Sequence, residues 1–150
     1  MVIKDPEPRI ETFTEPIWSE DGKITGKVEN KLVFSDTQMQ VLDVYKGEPV
    51  NLITVMQTGG AIRDLPNSSV RLSIEDDPLY IRGEESVLFL VNISDDSIHS
   101  HGRTLYRIIN PASRYTINSF DVNNHYEFSS STIYPKTIDE LISQIQEALK

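Results

Sequence analysis

Cysteine is absent from this chain. That removes disulfide scaffolds, thiolate zinc sites, iron–sulfur clusters and cysteine nucleophiles together, but it leaves the compartment open, because exported proteins need not be crosslinked. Positive charge is scarce as well: Lys+Arg number 14 against Asp+Glu 23, for a formal net charge of −9 and a pI near 4.7. A sequence-independent polyphosphate binder needs a Lys/Arg-rich face to release counterions, so this balance argues against general nucleic-acid binding while leaving room for a local basic groove. Long apolar runs are missing too. The longest, Val87 to Val91, is strand-sized, well short of the roughly 18–20 residues of a membrane-spanning helix. The opening MVIKDPEPR has neither the apolar core nor the small-residue cleavage site of a signal peptide, which taken literally predicts the cytoplasm. A Met set before a Pro-rich acidic segment is also what a shortened chain looks like.

What is present reads as β structure. The 150 residues suit one domain, able to bury roughly 68–70% of its unfolded surface. Residues 1–20 read as a leader segment that packs on the body, and 21–150 as a single domain. Short runs of alternating apolar and polar residues, punctuated by glycine or proline, predict strands at Ile24 to Phe34, Gln38 to Tyr45, Leu52 to Gln57, Val70 to Ile74 and Leu105 to Ile109, with a last one at Arg114 to Val122. Ser86 to Ile93 has a continuous apolar centre, Val87-Leu88-Phe89-Leu90-Val91, which predicts a strand buried on both faces. Thr58-Gly59-Gly60 predicts a corner, Lys46-Gly47-Glu48-Pro49 a loop, and Ser94 to Arg103 a polar loop.

The period changes at the carboxyl end. From Ile138, apolar residues recur at Leu141, Ile142, Ile145, Ala148 and Leu149, one stripe of a helix over 137–149. Thr137 with Glu140 forms a capping box and Pro135 marks the break before it. The fold class expected is mainly β, a five- to seven-stranded barrel or curled sheet closed by one C-terminal amphipathic α-helix.

Three segments in order carry a likeness: Val41-Leu42-Asp43-Val44-Tyr45-Lys46-Gly47, Ile53-Thr54-Val55-Met56-Gln57-Thr58-Gly59-Gly60, and Gly83-Glu84-Glu85-Ser86-Val87-Leu88-Phe89-Leu90. With Arg114-Tyr115-Thr116-Ile117 and the terminal helix, they make about two-thirds of the chain resemble a group of bacterial secreted and lipoprotein domains. That resemblance implies an OB-like barrel similar to those of tissue inhibitors of metalloproteinases and netrin modules. It also implies export, with membrane contact only through an N-terminal lipid anchor that this chain lacks, and it implies no enzyme. The metalloproteinase inhibitors capture zinc with an amino-terminal cysteine, so the absent cysteine blocks that activity here.

Candidate chemistry falls in two places. His99 and His101, with Asp95 and Asp96 just before them, have the donor types of a divalent-metal site if the segment is extended and both imidazoles point one way; a solvated hairpin loop is the plain alternative. Arg103, Arg107 and Arg114 interleave with Tyr106, Tyr115, Phe120, Tyr126, Phe128 and Tyr134, the only aromatic-basic pattern present, and would suit stacked single strands on an OB-like barrel. The alternative is that the aromatics pack inside and the arginines pair with the surplus acids. Glu75, Asp76, Asp77, Glu84 and Glu85 match no Ca²⁺ loop, and no phosphate-binding glycine loop or nucleophile elbow occurs. Trp18, the sole tryptophan, is either leader packing or a partner-binding anchor.

The expected function is a non-enzymatic extracellular or cell-surface binding module, needing no cofactor, for a protein or envelope component. Trp18, Arg103, Tyr106, Arg107, Arg114 and Tyr115 are its candidate ligand contacts. A single-strand nucleic-acid binder and a metal-dependent hydrolase are the alternatives.

Overall fold

In this computed structural model, which describes residues 1–65, 68–72, 74, 77–118, 121–124 and 135–150, strand formation already starts inside the leader. Strand β1 (Glu7–Trp18) pairs antiparallel along its whole length with β2 (Ile24–Gln40), from Glu7↔Asp36 to Trp18↔Ile24. The connecting turn closes with Ser19 N–H donating to the Lys23 carbonyl at 2.9 Å. The chain then runs through β3 (Leu52–Thr58), β4 (Gly60–Leu65), β5 (Ser68–Leu72), β6 (Glu85–Leu88), β7 (Leu90–Asn92), the single turn α1 (Ser97–Ser100), β8 (Tyr106–Ile108), a 3-10 turn at Pro111–Ser113, β9 (Arg114–Asn118), β10 (Asp121–Asn124) and α2 (Ile138–Ala148).

Among the described residues the strands form three ladders: a five-stranded sheet in the order β1-β2-β3-β8-β7, a three-stranded sheet β10-β9-β6, and the β4–β5 hairpin. All neighbours are antiparallel except β3 and β8. The fold is therefore mainly β with a C-terminal helix, as expected. Hydrogen bonding among the described residues leaves the sheets open and does not close them into a barrel. No helix among these residues is long and apolar enough to cross a membrane.

Four expected elements come out differently. Arg114 to Val122 is not one strand but falls in two, β9 and β10, paired antiparallel. No separate strand spans Gln38 to Tyr45: Gln38–Gln40 end β2, and residues 41–51 form a loop in which Leu42 and Val44 are exposed, because no sheet lies beside them to bury an alternating face. Ser86 to Ile93 is not one strand buried on both faces. Phe89, 38% exposed, donates its N–H to the Ser113 carbonyl at 3.0 Å and accepts from Ile109 N–H at 3.1 Å, handing the chain from the three-stranded to the five-stranded sheet. The expected polar loop Ser94 to Arg103 contains α1, capped by the Asp96 carboxylate accepting from the N–H groups of Ile98 and His99.

The corner at Gly59-Gly60 is real and needs glycine. Both residues take positive φ (+116° and +147°), and a Cβ on Gly59 would stand 2.8 Å from the Leu72 carbonyl oxygen. Helix α2 follows its capping signal: Thr137 Oγ1 accepts from Glu140 N–H at 3.3 Å, while Glu140 Oε2 reaches one residue further back, to Lys136 N–H, at 2.8 Å. Its buried Leu141 and Ile145 pack on Val87 of β6 and Tyr115 of β9. A second cluster, Val2, Met39, Val55 and Tyr80, sits under the five-stranded sheet, and a third joins Phe34, Met56 and Leu105.

Candidate functional site

Alternation along β1 puts Arg9, Glu11 and Phe13 on one face, and the β2 register adds Phe34 opposite Arg9 and Asp36 opposite Glu7. The turn α1 lies over this face and completes a polar cluster. Glu11, only 5% exposed, pairs with Arg9 and accepts from His99 Nδ1–H at 2.5 Å, and His101 Nε2 stands 3.5 Å from its other oxygen. Asp36 accepts from Arg9 Nε–H at 3.0 Å and forms an ion pair with Arg103, whose Nη2 stands 2.9 Å away. Arg9 also donates to the His99 carbonyl at 3.1 Å, so its guanidinium ties α1 to the sheet. The rings of Phe13 and Phe34 stand 5.7 and 5.1 Å from the His99 ring. Two buried carboxylates among two guanidiniums and two imidazoles is the composition that burial of charge requires.

His99-Ser100-His101 is thus a helical turn and not an extended segment. His101 closes it in the left-handed region at φ 50°, and both imidazoles reach the Glu11 carboxylate. Asp96 caps the turn, with its other oxygen 3.8 Å from His99 Nε2, and Asp95 is exposed beside it. Among the described residues, no group of three His, Asp or Glu side chains is arranged to hold a metal ion.

The aromatic-basic candidates are dispersed. Arg103 is bound to Asp36, and Arg107 is exposed on β8 beside an open groove of about 360 Å³ lined also by Phe34, Met56, Thr58, His99 and Asn110. Tyr106 points the other way along β8, into the cluster around Val55. Arg114 is 2% exposed and serves the interior: it donates to both Glu84 carboxylate oxygens at 2.8 and 2.9 Å, to the Pro78 carbonyl, and lies 4.0 Å over the Tyr80 ring. Gln57 extends this network, donating to Asp77 at 2.7 Å and accepting from Tyr80 N–H at 3.2 Å. Burial holds the Tyr80 phenol above its ordinary range, against the pull of Arg114. Tyr115 packs on α2. Phe120, Tyr126, Phe128, Tyr134, Glu75 and Asp76 lie outside the described residues.

Trp18 stands apart from both networks. Beyond Phe13 the β1–β2 ribbon leaves the body as an arm, and at its tip Trp18 is 61% and Ile24 58% exposed, with Ile17 beside them. Sequence reasoning named Trp18 but missed Arg9, Glu11 and Asp36. The signal that would have found them is the period-two series Arg9, Glu11, Phe13 in the leader, whose buried face is charged and therefore invisible to hydropathy. The chain matches no protein-family model, no curated protein and no solved structure.

Proposed function

We propose that this chain is a non-enzymatic protein-binding module that meets its partner with the β1–β2 arm. The observation that carries this reading is the exposed apolar tip, Trp18, Ile17 and Ile24, on a paired ribbon stiff enough to present it. The polar clusters support it from the other side. Glu11 and Asp36 are taken up by Arg9, His99 and Arg103, and Glu84 by Arg114, so these acids and bases hold the body together. The order of the motifs around Gly47, Gly59-Gly60 and Gly83 supports an OB-like curl of the body and, by the same resemblance, work outside the cell or at its surface.

Replacing Trp18 with photoreactive benzoylphenylalanine tests the reading, with the exposed Val50, in the loop between β2 and β3, as the control position. Covalent protein adducts are expected from position 18 and not from position 50. No adduct from 18, or equal adducts from both, overturns the reading, and salt-dependent binding of oligo-dT would replace it with the nucleic-acid alternative.

A further inference from the structure

The outer edge of β1 has no partner strand among the described residues, and its hydrogen-bonding phase is fixed. Val33 faces Ile10 across the ladder, yet its carbonyl turns the other way and accepts Gly59 N–H at 2.8 Å. Antiparallel alternation then turns the N–H and C=O groups of Ile10, Thr12 and Thr14 outward from the sheet. Pro8 and Pro16 occupy the same phase and offer no donor. They stand four residues to either side of Thr12. The arm's other edge is different: in the matching phase β2 carries Lys27, Glu29 and Lys31, charges of the kind that guard an edge strand.

We propose that β1 pairs with β1 of a second copy of this chain, antiparallel and two-fold symmetric about Thr12, with each Trp18 entering a cavity of the other copy beside Pro6 and Tyr80. This rests on the reading of the arm as the binding element and names its occupant. With the axis at Thr12, Ile10 opposes Thr14 and Pro8 opposes Pro16. Every outward N–H of Ile10, Thr12 and Thr14 meets a carbonyl, and the gaps in the two donor rows face each other.

Charge selects this register from its neighbours. Centred on Thr12, the pairing sets Arg9 against Glu15. Moving the axis to Glu11 sets Glu11 on Glu11 and Glu7 on Glu15, and moving it to Phe13 sets Glu11 on Glu15; like charges directly opposite destabilise a ladder.

The same register carries Trp18 to residue 6 of the second copy, since both lie six positions from Thr12. Alternation along β1 puts Trp18 on the face of Pro8 and Ile10, the register shift beside it placing its extra residue, Thr25, on β2. On that face Gly60 lies against Pro8, Val33 and Ser35, and a cavity of about 220 Å³ opens between Pro6, Pro8, Ser35, Ala61, Leu79 and Tyr80. Its lining suits an indole. Pro6, Pro8, Leu79 and Tyr80 give it apolar walls on which the ring can pack. An exposed tryptophan and an apolar cavity thus lie where one symmetry operation brings them together.

Because the chain has one tryptophan and no cysteine, the test is direct. Sedimentation equilibrium of the full chain should show a monomer–dimer equilibrium, and Trp18 emission should shift to the blue as concentration rises. Trp18→Ala should raise the dimer dissociation constant by about tenfold or more. In the dimer, Thr12 faces itself in a hydrogen-bonded pair at about 5.5 Å between Cα atoms, inside the range that a disulfide spans. Thr12→Cys should therefore crosslink under mild oxidation, and Lys31→Cys on the other strand should not. A chain that stays monomeric with constant emission overturns the dimer, as does equal crosslinking from both cysteine positions. If it stays monomeric while position 18 still captures a different protein, the homodimer fails and the arm reading survives; if both experiments are blank, both fail.

Discussion

The base and the tip of the β1–β2 ribbon share one ladder and one register, yet they have opposite fates. Between Arg9 and Phe13 the ribbon is covered by α1 on one face, and Glu11 and Asp36 lie buried among paired charges. From Thr14 to Trp18 and back to Glu29 the same pairing continues and most side chains remain in solvent. Backbone pairing alone therefore does not decide burial. What decides it is whether a third element returns to cover the face, and α1 returns only to the base. The tip keeps its apolar side chains free, which is the condition for binding something else.

Four substitutions break or sharpen that contrast. The largest effect belongs to the body: Arg114→Met leaves Glu84 buried without its cation and should cost about 3–5 kcal/mol in urea unfolding. Unchanged stability would mean that the Arg114 network is not structural. At the base of the ribbon, Glu11→Ala leaves Arg9 with Asp36 as its one carboxylate partner and takes the carboxylate from His99, and should cost about 2–3 kcal/mol, with loss of protection in α1 by hydrogen exchange. A full-stability Glu11→Ala protein would show that α1 docks without the cluster.

Tyr80→Phe, in a dilute monomeric sample, should change stability at neutral pH by less than about 1 kcal/mol, because the hydroxyl it removes has no hydrogen-bond partner among the described residues. Its pH signature has a definite sign. Burial raises the Tyr80 pKa above its ordinary value of 10.0, so above pH 10 the unfolded chain releases a proton that the folded chain keeps, and stability falls as pH rises. Tyr80→Phe should remove that part of the alkaline fall, and an unaltered alkaline limb would count against the buried phenol. At the tip, Trp18→Ala should move monomer stability by no more than about 0.5 kcal/mol while weakening self-association, and a large loss of stability would place Trp18 in the fold.

Local features could be read from the chain and long-range ones could not. The α2 helix was legible because its cap, Thr137 with Glu140, and its stripe, Leu141 and Ile145, are encoded within a few turns. The Gly59-Gly60 corner was legible because no other residue tolerates both its φ and the contact with Leu72. Strand β1 was read as a leader because the side chains that become buried there, Arg9 and Glu11, are charged. The extended reading of His99 to His101 failed because the Asp96 cap outweighed the absence of apolar periodicity. Arg114 looked available for a ligand because its partner, Glu84, is 30 residues away.

By itself the sequence determined that the body is β-rich, that a capped amphipathic helix ends it, and that nothing in it depends on cysteine. Tertiary structure alone decided which charges are buried. His99 meets Glu11 across 88 residues, and no local pattern encodes a pair that exists only once two distant segments close on one sheet face. It decided equally that Trp18, apolar like the core, stays outside it, because no segment among the described residues comes back to cover the tip of the arm.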